Sequence, residues 1–147
     1  MKKLIQLLLA LSVTMSAASS ADDIFTYGDK AKNVHHIGDV WLRGLSRADD
    51  YYEMNIAAAK FAPGAVLNWH YHPAGQQVII VDGKGYYQER GGEIQIVTKG
   101  DVIKCTPGKQ HWHSAAKNEG VTYIAIGGNV PTEWFEPVDT AVYNSVE

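Results

Sequence analysis

The sequence has a single cysteine, Cys105, among its 147 residues. An internal disulfide is therefore excluded, and so is a closed metal site built from several thiolates. Runs of basic residues are missing as well: lysine and arginine number 13 against 16 acidic residues, for a formal net charge of −3. With no basic face to meet phosphates, nucleic acid is not expected as a partner. No apolar stretch approaches the ~20 residues that a membrane-spanning helix needs. Internal repeats and low-complexity tracts are also absent. What remains is an ordinary globular composition, 46% hydrophobic and 20% charged, in a chain long enough for one core and too short for two.

The N-terminus differs in kind from the rest. Lys2 and Lys3 precede an apolar run at positions 4–13, and small residues follow through Ala21. Charged, apolar and small-residue regions in that order are expected to form a secretory signal peptide over 1–21, cleaved between Ala18 and Ala21. No cysteine stands there to carry a lipid. The mature protein is thus expected to be secreted or periplasmic and free of the membrane. Residues 22–50 read as an N-terminal arm with strands, and 51–147 as the main domain with a C-terminal extension.

From about residue 35 the pattern is of short strands separated by Gly/Pro turns, the mark of an all-β sandwich or barrel. Strands are expected over 52–61, 66–72, 77–81, 86–89, 94–98, 102–106 and 121–126. The turns are Pro63-Gly64, Pro73-Ala74-Gly75, Gly91-Gly92 and Lys99-Gly100-Asp101, with Asp82-Gly83-Lys84-Gly85 read as a hairpin turn. Helix is expected only in the signal peptide and in a turn near the C-terminus. Cys105 lies on an apolar run, where a small buried role suits it better than a reactive or metal-binding thiol.

Four of the six histidines fall in two His-x-His pairs, His70/His72 and His111/His113. Side chains alternate across a strand, so the members of each pair share a face and the pairs can converge inside a sheet. Gln76 stands just beyond the first pair. His70, His72, Gln76 and His111 are the candidate ligands of one divalent metal ion. Nitrogen and oxygen donors on a β frame suit manganese, iron, nickel, copper or zinc. Glutamine contributes a neutral carbonyl where a glutamate would cancel charge, so such a centre keeps its full positive charge and favours Lewis-acid chemistry. His113, on the same face, is read as a catalytic acid–base group beside the ion, titrating near neutral pH, in preference to a fifth ligand; the alternative is a hydrogen-bonded residue of the barrel wall. His35 and His36 lie in a polar segment and are expected on the surface.

At these residues the chain resembles a cupin. Gly64, His70-x-His72, Gln76 and Gly83 match the first cupin motif, with Gln76 in place of the usual glutamate. Gly100, Pro107-Gly108, His111 and Asn118 match the second, the last at a longer spacing than is common. The likeness is closer to the manganese-dependent cupin hydroxynitrile lyases and their bacterial relatives. It rests on Phe61-x-Pro63-Gly64-Ala65, Trp69-His70-x-His72-Pro73-x-Gly75-Gln76, Gln88-x-Arg90-Gly91-Gly92 and His111-Trp112-His113, with Trp134 and Glu136 beyond. The resemblance implies a single-domain double-stranded β-helix (a jelly-roll barrel). It implies manganese held by His70, His72, Gln76 and His111, and a homodimer or homotetramer. Tyr123 departs from the pattern, standing where the lyases are expected to carry a histidine. A weaker lyase follows if that histidine moves the proton.

The leading functional expectation is a metal-dependent lyase that reversibly cleaves a cyanohydrin to aldehyde and cyanide, or performs analogous carbonyl chemistry on a small molecule. The alternatives are an oxygen-using cupin such as a dioxygenase, and an exported module that binds a small ligand or metal without turnover.

Overall fold

Alternating burial along short strands curls this chain into an antiparallel β barrel. A computed structural model describes residues 28–32 and 34–146. The expected signal peptide lies outside the described residues. Twelve strands form one curled sheet: β1 (Asp29–Lys30), β2 (His36–Ile37), β3 (Val40–Ser46), β4 (Met54–Phe61), β5 (Val66–Leu67), β6 (His70–Tyr71), β7 (Gln76–Glu89), β8 (Gln95–Thr98), β9 (Val102–Cys105), β10 (His111–Ala115), β11 (Val121–Gly128) and β12 (Glu133–Trp134). One short helix, α1 (Thr140–Asn144), follows near the C-terminus, capped by Asp139 Oδ1, which accepts from the Ala141 amide at 2.7 Å. Among the described residues no helix is long and apolar enough to cross a membrane.

One half of the barrel runs β1-β3-β4-β11-β7-β9, and the other joins β7 to β8 and β10, with β5, β6, β2 and β12 beyond. Inward side chains of both halves, among them Val40, Phe61, Val78, Ile80 and Ile103, make the principal core. On the outer side of the second half, Val138 and Tyr143 cover Tyr86 and Trp112 in a separate cluster. Trp112, wholly buried, donates its indole N–H to Gln88 Oε1 at 2.8 Å. Alternation thus sends His111 and His113 into the barrel and Trp112 out beneath the C-terminal segment.

Most expected strands and turns are found, but the hairpin at Asp82-Gly83-Lys84-Gly85 is not. β7 continues through these residues, pairing first with β11 and β9 and then with β10 and β8. Its register against β11 slips between Thr122 and Tyr123, so one extra residue of β7 forms a bulge that bends the strand from one half to the other. Gly83 has φ +77°, and a Cβ there would sit 2.0 Å from the Gly120 carbonyl oxygen. The Asp-Gly signal marks a bend within a strand, where close backbone approach requires glycine. The expected strand over 66–72 also divides, into β5 and β6. Between them the Asn68 amide donates to the His35 carbonyl at 2.9 Å and the Trp69 amide to the Glu136 carbonyl at 3.0 Å. The segments around His35 and Glu136 thereby dock at this break.

Candidate metal centre

His70 and His111 are direct cross-strand partners in β6 and β10, with ring centroids 4.4 Å apart. Both are buried. Each turns Nδ1 back on a carbonyl two residues earlier: His70 on Asn68 at 2.8 Å and His111 on Lys109 at 3.0 Å. A carbonyl only accepts, so Nδ1 carries the proton and Nε2 is left with a lone pair, the form that binds a metal. Two turns bring the rest of the set together. The amides of Gly75 and Gly108 both donate to the His72 carbonyl at 3.0 Å, tying the turn after the first pair to the turn before the second.

His72 follows β6 and contacts Thr132 Oγ1 through Nδ1 at 3.1 Å. Gln76 opens β7 and pairs with Gly127 of β11. His113 contacts the Tyr123 hydroxyl through Nδ1 at 3.0 Å. Four buried atoms of this group lack a hydrogen-bond partner: Nε2 of His72, His111 and His113, and Oε1 of Gln76. Buried polar atoms are rarely left unpaired, and a bound cation would satisfy each of the four that presents a lone pair. One potential ligand atom from each of His70, His111 and His113 lies within 4.8 Å of the others. The residues therefore fit a divalent metal ion, and the trio that meets includes His113 but not His72, which was expected as a ligand.

Electrostatics agree with this fit. Burial, helped by neighbouring His111 and His72, pushes His70 down to about 3. Burial and His111 push His72 down to about 4. Burial likewise lowers His111, and it lowers His113 well below the usual imidazole range. All four are neutral at neutral pH, as ligation requires. The expectation that His113 titrates near neutrality is not met, because burial among the other histidines disfavours its charged form. Cys105 is buried, and that burial raises its thiol to about 12, which fits its small structural role. Lys109 holds Glu89, whose carboxylate accepts from the Tyr87 hydroxyl at 3.1 Å, down to about 2.

A cavity of about 560 Å³ opens over the histidines, walled by apolar groups including Val40, Leu42, Ala59, Phe61 and Leu67. His35 and His36, both half-exposed, also line it. His35 stacks on Trp134 with centroids 4.6 Å apart, and Trp134 in turn lies 4.7 Å from His70. The N-terminal segment is drawn over the barrel mouth by the β2–β5 pairing, which local polarity does not reveal. A second cavity of about 400 Å³, bordered by Asn55, Asn129 and Thr132, reaches His72 and Gln76 from another side. Thr132 carried no sequence signal, because its contact with His72 depends on the fold.

The cupin domain pattern matches residues 58–127. The chain is 34% identical to the (R)-mandelonitrile lyase of Granulicella tundricola over 112 residues, 70% of this chain and 86% of that protein. It is similar to the crystal structure of a cupin-like protein from Thermotoga maritima, with a TM-score of 0.79 and 39% identity over 84% of this chain and 96% of the other. The polyketide cyclase RemF of Streptomyces resistomycificus shares the fold, with a TM-score of 0.58 and 14% identity over 71% of this chain and 76% of the other. Motifs, barrel and relatives agree: the chain belongs to the cupin family.

Proposed function

We propose that this cupin is a divalent-metal-dependent lyase of the hydroxynitrile-lyase type, with manganese as its ion. The observation that carries the reading is the group of unpartnered buried donor atoms on His72, Gln76 and His111, beside His70 and beneath an apolar cavity. His70, His72, Gln76 and His111 hold the ion. All four donors are neutral, and a divalent ion bound among them would supply Lewis acidity that stabilises an alkoxide or carbonyl oxygen. Phe61, Leu67 and the other apolar walls take the organic part of a small hydroxy or carbonyl compound and exclude water. In the cleavage direction the C–CN bond breaks with its electron pair on cyanide, a C=O bond forms, and the hydroxyl proton ends on cyanide. His113 and Tyr123 are polar side chains that line the cavity where this exchange takes place. Similarity to the Granulicella lyase supports the reaction class, and the N-terminal pattern supports an exported site of action.

The test is cyanide release from mandelonitrile by manganese-loaded protein, followed beside oxygen uptake. Release that disappears in the His111→Ala variant supports the lyase. Substrate-dependent oxygen uptake without cyanide would replace it with an oxygenase, and stoichiometric ligand retention without product would leave a binding protein.

A further inference from the structure

The four histidines differ in what faces Nδ1. For His70 and His111 it is a carbonyl, which can only accept, so their tautomer is settled. For His113 it is the Tyr123 hydroxyl, which can donate or accept. The two choices give His113 opposite chemistry. If Nδ1 donates, Nε2 has a lone pair and His113 joins the ligands. If Nδ1 accepts, Nε2 carries the proton and cannot ligate.

Counting polar groups separates the two. The Tyr123 hydroxyl is buried, and its hydrogen-bond partner among the described residues is His113. Phe61 packs on both rings, with centroids 5.2 Å from Tyr123 and 6.2 Å from His113, and both residues line the cavity. If Nδ1 donated, neither the phenol proton nor Nε2 would have a protein partner. If the phenol donates, both its proton and Nδ1 are paired, and only Nε2–H remains, facing the cavity. A stranded buried donor costs about 1–3 kcal/mol. The second arrangement leaves one atom unpaired, and that atom is where a substrate oxygen or anion can pair with it.

We infer that Tyr123 is a positioning residue that fixes His113 as a neutral Nε2–H donor, outside the metal's ligand set and unable to serve as a base. This rests on the proposed function for its setting: His113 would stabilise negative charge as it develops on the reacting molecule by donating a hydrogen bond. No proton is gained or lost between the two arrangements, since both are neutral tautomers. The role belongs to the Tyr123 hydroxyl and not to its ring.

Long-range proton–nitrogen NMR correlations of the imidazoles test this on the full chain, first metal-free and then with zinc alone as a diamagnetic probe. His70 and His111 should show protonated Nδ1 and serve as internal standards. His113 should show the reverse, a protonated Nε2 with an unprotonated Nδ1. Zinc should move Nε2 of His70, His72 and His111 and leave His113 unshifted. Tyr123→Phe keeps the ring and removes the donor, so it should reverse the His113 pattern and bring its Nε2 among the zinc-shifted resonances. A protonated Nδ1 on His113 in the unsubstituted protein, or a zinc shift at its Nε2, would overturn the inference whatever the activity. The expected pattern in a protein that releases no cyanide would overturn the lyase assignment and leave the inference standing.

Discussion

His70 and His111 each turn Nδ1 back onto a main-chain carbonyl two residues earlier, whereas His72 and His113 reach hydroxyls carried by other parts of the chain. The leading histidine of each pair is thus oriented by its own strand, and the following one by tertiary structure. The leading two also face each other across β6 and β10, so their geometry is secured as soon as those strands pair. The following two depend on Thr132, just before β12, and on Tyr123 in β11. Local anchoring to a carbonyl fixes the tautomer. Distant anchoring by a hydroxyl leaves the tautomer to be set by a single side chain, and so allows two chemically different uses of the same residue type.

The sharpest way to break this contrast is to delete members of the same pair. His111→Ala should abolish stoichiometric metal retention after dialysis, while His113→Ala should keep it, with metal content measured on protein whose circular dichroism shows the β fold. Metal lost equally from both variants would make the pair equivalent and His113 a ligand.

Acid separates burial, which all four histidines share, from anchoring, which they do not. Burial places the folded-state pKa of His70 at about 3, below the ordinary 6.5. Between those values the unfolded chain binds more protons than the folded one, so the stabilising contribution is complete above 6.5 and falls as the pH drops toward 3. The slope approaches about 1.4 kcal/mol per pH unit for each fully buried histidine. Denaturant unfolding of metal-free protein at a series of pH values should show stability declining below pH 6.5, and His70→Gln should flatten the decline. A stability profile flat from pH 7 to 4 would mean that the histidines are solvated.

Much of this arrangement was legible in the sequence because it follows from local rules. Strand periodicity gave the all-β class, and side-chain parity placed both pairs inside the barrel. Gln76 could be grouped with them by its place just beyond the first pair, and it opens β7 directly after the turn that the Gly75 to His72 hydrogen bond closes. Where local rules failed, tertiary contacts had taken over. Asp82-Gly83 reads as a hairpin until Gly120 is seen against it. His35 reads as exposed until Trp134 is found beneath its ring. Tyr123 could be flagged on β11 parity, but its hydrogen bond to His113 depends on how β10 and β11 are brought together by the fold.

Thr132 offers the finest test of distant anchoring, because its hydroxyl meets the candidate site at His72. Its hydroxyl meets Nδ1 at 3.1 Å, and His72 Nε2 is buried without a partner. Removing a group that orients a ligating histidine typically costs 10–100-fold in metal affinity. Thr132→Val keeps the shape and loses the hydroxyl, so it should weaken manganese binding by about tenfold, the low end of that range, since His72 keeps its place beside the Pro73–Gly75 turn. Thr132→Ser should restore the affinity, because it returns the oxygen without the methyl group. The equivalent loss of a side-chain partner cannot be imposed on His70 or His111, whose Nδ1 partners are main-chain carbonyls. Competition titrations with a metallochromic chelator measure all three proteins. Equal affinities would mean that the His72 ring is oriented by packing alone, and the division between locally and distantly anchored histidines would then hold only for His113.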